Sequence, residues 1–135
     1  MTTAQHLLTG RAGEDAAAAL LQSKGLILLV RNWRQGSLEL DIVAEEGDTL
    51  IFVEVKTRAA DGLQRPHEAL TAAKRSLLTR AATRYLMEHN LWHRPCRFDL
   101  VSVVVRGRET VAEHIPNAFD LTPALDRRHA AWQPW

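Results

Sequence analysis

The sequence predicts an α/β fold, a single domain in which a mixed central sheet is flanked by helices. Three observations predict it. A helical stretch opens the chain, three strand-like stretches follow in close succession, and a second long helical stretch separates them from two further strands. No Pro/Gly/Ser-rich linker and no internal repeat divides the 135 residues. They are therefore expected to form one domain over residues 1–120, followed by a loosely packed tail at 121–135 containing Pro123 and Pro134.

Each element has a local reason. Thr9 can cap a helix that runs to about Lys24, with Glu14 and Asp15 in its early turns, four consecutive alanines in its body and Gly25 as its stop. Leu26–Arg34 is apolar and partly β-branched, as a strand would be, and Gln35-Gly36-Ser37 is a turn signal. Leu38–Ala44 alternates, with Leu38, Leu40, Ile42 and Ala44 expected on one side and Glu39, Asp41 and Val43 on the other. The Glu46-Gly47-Asp48 turn then leads into a strand over Thr49–Thr57, so this pair is expected to be a hairpin. Residues 58–65 read as loop and Pro66–Ala69 as a short helical segment. Thr71 is expected to cap a helix reaching about Asn90, with apolar residues recurring at Leu77, Leu78, Ala81, Ala82, Tyr85 and Leu86. Arg97–Arg106 and Glu109–Ile115 complete the sheet.

Composition excludes several classes. At 46% hydrophobic and 24% charged the chain is ordinary globular protein. The one cysteine, Cys96, leaves no intrachain disulfide, no multi-cysteine zinc site and no CxxC redox motif. The longest apolar runs, such as Leu26–Val30, fall far short of the ~20 residues that cross a bilayer. The first residues lack a basic and then apolar leader, so a cytoplasmic protein without a membrane partner is expected.

The net charge of +1 says little, but its distribution is uneven. Residues 35–55 hold six acids and no base, and residues 56–97 hold nine bases against three acids. That sequence of charges fits a cation-holding centre beside an anion-binding surface, and it also fits chance clustering of surface charge.

The chemistry concentrates in Ile51–Arg58, IFVEVKTR. On a strand Glu54 and Lys56 point the same way, while Ile51, Val53 and Val55 form the buried face. An isolated Glu-x-Lys reads first as a self-neutralising ion pair. Asp41 changes the weighing. Twelve residues lie between Asp41 and Glu54, with the Glu46–Asp48 turn near the middle, so the hairpin would set the two carboxylates face to face. They would repel unless a cation lies between them or one is protonated. Hard oxygen ligands of this kind suit Mg²⁺ or Mn²⁺. Lys56 would then stand beside the attacking water, to deprotonate or orient it or to offset charge growing on phosphorus.

Asp41, Glu54 and Lys56 together resemble the PD-(D/E)XK nuclease core of the restriction-endonuclease-like fold. More closely, the chain resembles the YraN-like family of small, largely uncharacterised bacterial proteins. The shared motifs are GRAGEDAAAALLQSKG at Gly10–Gly25, RNWR at Arg31–Arg34, LELDIVA at Leu38–Ala44, FVEVKTR at Phe52–Arg58, Ala69 through Lys74, and RFDLVSV at Arg97–Val103. That family is in turn similar to archaeal Holliday-junction resolvases. The superfamily proline is replaced by Leu40, and Asp61–Glu68 departs from the Phe-Gly start usual in the family.

The resemblance implies an αβββαβ core and a metal-dependent endonuclease acting on DNA, branched DNA included. It implies a cation held by Asp41, Glu54 and Val55, and Glu14 as a further carboxylate from the first helix. Glu14 also reads as an acid that simply stabilises its helix dipole, and Glu39 as either a partner of Asp41 or a solvated strand-edge acid. Nucleic-acid contacts are assigned to Arg31, Arg34, Arg58, Lys74 and Arg75, which read equally as solvated surface charge. Trp33 suits base stacking or partial burial, and burial is the commoner fate. A homodimer would suit cutting of two strands. The alternative function is a non-catalytic module that docks nucleic acid or a protein on the same fold.

Overall fold

A computed structural model of the chain describes residues 3–60 and 70–119. The elements are α1 (Thr3–Ser23), β1 (Ile27–Gln35), β2 (Leu38–Glu46), β3 (Thr49–Ala59), α2 (Ala72–His89), β4 (Cys96–Arg106) and β5 (Glu109–Ile115). This is the α-β-β-β-α-β-β order expected, and its first six elements are the αβββαβ core the resemblance implies. The five strands form one mixed sheet in the order β1-β2-β3-β4-β5. Neighbours are antiparallel except β3 and β4, which run parallel because α2 carries the chain back across the sheet. The short helix expected at Pro66–Ala69, the departing segment Asp61–Glu68 and the tail at 121–135 lie outside the described residues.

The sheet is packed on both faces. Against α1 lie Ile42, Ala44, Ile51, Val53, Val101 and Val103, under Ala17, Ala18 and Leu21. Against α2 lie Leu40, Val43, Leu50, Phe52 and Phe98, under Leu78, Ala81, Ala82, Tyr85 and Leu86. Double-sided burial explains why β3 and β4 read as nearly continuous apolar runs rather than as clean alternation.

Two expectations need correction. α1 begins at Thr3, so Thr9 lies inside the helix and is not its cap; nothing in Thr3–Leu8 breaks a helix, which propagates through it once nucleated. The single apolar side assigned to β2 is divided. Leu38 and Leu40 pack toward α2 with Val43, while Ile42 and Ala44 pack toward α1. Asp41 therefore does not lie simply opposite a uniform Leu40–Ile42 face. The alternation slips at Asp41, and β1 slips with it. Val30 and Trp33, an odd number of residues apart, pack on the same α2 side, and between them Asn32 adopts a left-handed backbone with φ of 55°. Asn32 falls at the step facing Asp41, where the β1–β2 register passes from Arg31↔Ile42 to Trp33↔Leu40.

Other local readings hold. The Thr71 hydroxyl accepts a hydrogen bond from the Lys74 N–H at 3.1 Å, capping α2. Asn90 closes α2 in a left-handed conformation. His89 packs on the Tyr85 ring, their centroids 4.3 Å apart. Trp33 is partly buried, edge-on to Tyr85 at 5.9 Å. Cys96 is half-buried, and burial pushes its thiol up to about 12, which makes it a poor nucleophile. No helix of the described residues is long and apolar enough to cross a membrane.

Candidate metal centre

The β2–β3 ladder runs from the Glu46↔Thr49 end as far as Ile42↔Val53 and then stops. The same register continued one step sets Asp41 opposite Glu54. Beyond that point β3 stays paired with β4 as far as Ala59↔Val105, and β2 stays paired with β1. The sheet therefore opens between its second and third strands. A backbone N–H left in such a gap needs another acceptor. The Val55 N–H finds it in the Asp41 carboxylate, donating to Oδ2 at 2.8 Å.

Glu54 lies across the gap on the α2 side of β3, in phase with Leu50 and Phe52, and is only 7% exposed. Its carboxyl lies close enough to that of Asp41 for the two to influence each other directly. Two carboxylates so placed repel unless one is protonated or a cation lies between them. Burial and then the Asp41 charge push Glu54 up to about 7. Burial raises Asp41 as well, and the Val55 N–H and the Glu54 side chain oppose that rise. Both carboxyls are therefore raised, chiefly by burial, and Glu54 by the Asp41 charge as well.

Cations and acids surround the pair. Lys74, in the first turn of α2, reaches Glu54 Oε2 at 3.5 Å. Lys56, two residues along the same face of β3, draws Glu54 back toward its charged form. The register pairs Lys56 with Ser102, a buried hydroxyl on β4. From α1, on the other side of the sheet, Glu14 raises Asp41 electrostatically. Asn32 donates from Nδ2 to Glu14 Oε2 at 3.2 Å, and Arg31 lies 4.0 Å from the same carboxylate while bonding Asp15 at 2.8 Å.

The expected residues are therefore brought together in part. Asp41, Glu54, Lys56 and Glu14 gather at the gap. Lys74 joins them as a partner of Glu54. Arg31 is committed to the α1 acids, and Arg34 to Glu39 at 3.5 Å, which also places Glu39 away from Asp41 as a surface ion-pair partner. Arg58 and Arg75 are half-buried.

Two contributors escape a reading by residue type. Gly13 sits where α1 crosses β3 so closely that a Cβ there would overlap the Thr57 side chain. This approach brings the next residue, Glu14, to the gap. A glycine inside a helical pattern is the available signal. Asn32 is the other, and its signal is a turn-forming residue within an otherwise strand-like RNWR.

Chemically, the donor set fits a hard divalent cation. Asp41 and Glu54 present oxygen ligands, and a cation between them would offset their mutual repulsion. In a strand the C=O and N–H of one residue face the same side, so the Val55 carbonyl also faces the gap. Among the described residues no three His, Cys, Asp or Glu side chains form a ready-made cage. Two carboxylates with the remaining positions open is the arrangement Mg²⁺ favours when phosphate completes its shell.

Residues 13–103, from the α1–β3 crossing into β4, match the family described as "Uncharacterised protein family UPF0102". The chain belongs to the UPF0102 family. It is 56% identical over 135 residues, the full length of both chains, to a UPF0102 protein of Nitratidesulfovibrio vulgaris. It is 39% identical to one from Oleidesulfovibrio alaskensis, covering 96% of this chain and 94% of that one. A UPF0102 protein of Myxococcus xanthus is 43% identical over 111 residues, 82% of this chain and 88% of the relative. The YraN-like resemblance drawn from the motifs is this family. The matched span holds all of the residues gathered at the gap, Asn32 included.

Proposed function

We infer that the protein is a metal-dependent phosphodiesterase of the PD-(D/E)XK nuclease type, acting on DNA in the cytoplasm. One observation supports this reading: the buried Glu54 and the half-buried Asp41 face each other across an opening in the sheet, with Lys74 and Lys56 beside them. Burying like charges at one point costs stability, so their retention beside two lysines calls for a function.

Asp41, Glu54 and the Val55 carbonyl would hold Mg²⁺ or Mn²⁺, which when bound supplies Lewis-acid polarisation of a phosphate oxygen and activation of water. The chain's own residues do the rest. The Val55 N–H fixes the Asp41 carboxylate, leaving Oδ1 free of that bond. Lys56 projects beside Glu54 and acts on the attacking water or on charge growing at phosphorus. Asn32 holds Glu14 at the α1 rim, where its charge repels a phosphate and directs the backbone of DNA toward the lysine side.

The test is cleavage of linear, flap and four-way DNA with Mg²⁺ or Mn²⁺ by wild type and Lys56→Ala. Cleavage by the wild type and a loss of ~10²–10⁴ in rate in a variant that still folds and binds DNA are expected. A variant that cleaves as fast as wild type removes Lys56 from the mechanism. Unfolding of the variant makes Glu54–Lys56 a structural ion pair. A wild type that cuts nothing with either metal leaves the non-catalytic docking module as the better reading.

A further inference from the structure

Among the described charge pairs, Lys74–Glu54 combines a buried carboxylate with a loose contact. It joins a lysine whose side chain is 29% exposed to a carboxylate that is 8% exposed, at 3.5 Å. A short charge-assisted hydrogen bond would be about 2.7–2.9 Å, so the ammonium neutralises Glu54 without being locked to it. Its backbone, by contrast, is fixed by the Thr71 cap. A four-carbon stem on a fixed base lets the charge move several ångströms.

The surroundings tell which way it can move. Glu54 and Lys74 lie on the α2 side of the sheet, and Lys56 shares that face of β3. The α1 side carries Glu14 and the Asp15–Arg31 pair. The gap thus has a cationic rim and an acidic one. A divalent ion at Glu54 and the Lys74 ammonium would be like charges competing for one buried carboxylate. Once displaced, the ammonium is on the rim that an incoming phosphate would meet.

We propose that Lys74 is a switching cation: it neutralises Glu54 while no divalent ion is bound, and it turns to a phosphate oxygen of the substrate once one is. This rests on the metal-site reading above and adds to it a residue outside the Asp-Glu-x-Lys set. It makes the order of events specific, since Lys74 becomes available to DNA only when the metal is in place.

Two measurements on the full chain test it, with Lys74→Met, Lys74→Gln and, as a charge control, Arg80→Met. In Mn²⁺ calorimetry without DNA, both Lys74 variants should bind roughly tenfold more tightly than wild type, from relief of charge repulsion, and Arg80→Met should match wild type. In fluorescence anisotropy with duplex DNA, the Lys74 variants should lose about tenfold in affinity in Ca²⁺ but little in EDTA, whereas Arg80→Met should behave alike in both. Lys74 variants that bind Mn²⁺ no more tightly overturn the competition. An equal loss of DNA affinity with and without Ca²⁺ makes Lys74 a fixed phosphate contact and overturns the switch. If both Lys74 variants unfold at neutral pH, the pair is structural and the proposal falls. A wild type that takes up no Mn²⁺ fails at the metal site itself, which is distinguishable from a metal-binding wild type whose Lys74 variants show no gain.

Discussion

The Asp41–Glu54 pair is a local conflict that the rest of the molecule holds in place, and it has a pH signature. Glu54 is raised from an ordinary 4.5 to about 7, and Asp41 shifts in the same direction, both chiefly by burial. A carboxyl raised in the folded state binds more protons folded than unfolded. The pair's contribution to stability is therefore full below pH 4.5 and is lost as pH rises through about 7. For Glu54 alone the loss is on the order of 3 kcal/mol. Urea melts in EDTA should show the wild type weakening over that range. Glu54→Gln, which keeps the shape and a donor for Asp41, should flatten the dependence and be the more stable protein above pH 7. A Glu54→Gln profile parallel to wild type would mean that the pair does not govern it. Asp41, Glu54 and Lys56 were legible because their spacing about a tight turn needs only the period of a strand. Lys74 was legible only as a cation, since its contact with Glu54 depends on how α2 returns across the sheet.

At the scale of elements, the site exists because two strands part and a helix comes unusually close. β2 and β3 separate after Ile42↔Val53, and α1 reaches β3 at Gly13. Gly13→Ala would ordinarily favour a helix by up to ~1 kcal/mol. Here the added methyl meets Thr57, so destabilisation of about 1–3 kcal/mol is expected, with displacement of Glu14 from the gap. Thermal melts should show partial recovery in Gly13→Ala combined with Thr57→Ala, which removes the two nearest atoms of the Thr57 side chain. A Gly13→Ala protein more stable than wild type would contradict the close crossing. Element order and the α2 cap were readable because turn residues and periodicity are local. The slip of alternation at Asn32 and Asp41 was not, because it arises from pairing between β1 and β2. A second ionic cluster was equally hidden. Asp99 is buried among Arg97, His114 and the Asn117 N–H, with Lys24 completing the chain at 3.0 Å from His114. Arg97 and Asp99 are two residues apart on β4, but His114, Asn117 and Lys24 lie too far away in sequence to suggest the rest. It pins β5 and the α1 C-terminus to β4 as a structural unit.

Across the whole molecule, the basic excess of residues 56–97 is smaller at the surface than in the sequence. Arg94 is spent on Glu45 and the turn carbonyls of Gly47 and Asp48, Arg97 on Asp99 and Glu46, and Lys74 on Glu54. Lys56, Arg58, Arg75, Arg80 and Arg84 make up most of what the described part of that segment can offer to phosphates. DNA binding should accordingly be electrostatic and of modest charge. Anisotropy titrations are expected to lose about 40- to 500-fold in affinity between 50 and 200 mM salt, a slope reflecting roughly three to five phosphates. Affinity that does not change with salt would exclude a phosphate-reading surface. All of this depends on a cation being held where Asp41 faces Glu54. Calorimetric titration of Mn²⁺ into wild type and Asp41→Ala, both confirmed folded by circular dichroism, tests that most directly. Saturable heat in the wild type and none in the variant is the predicted result, and equal binding by the two proteins would contradict it.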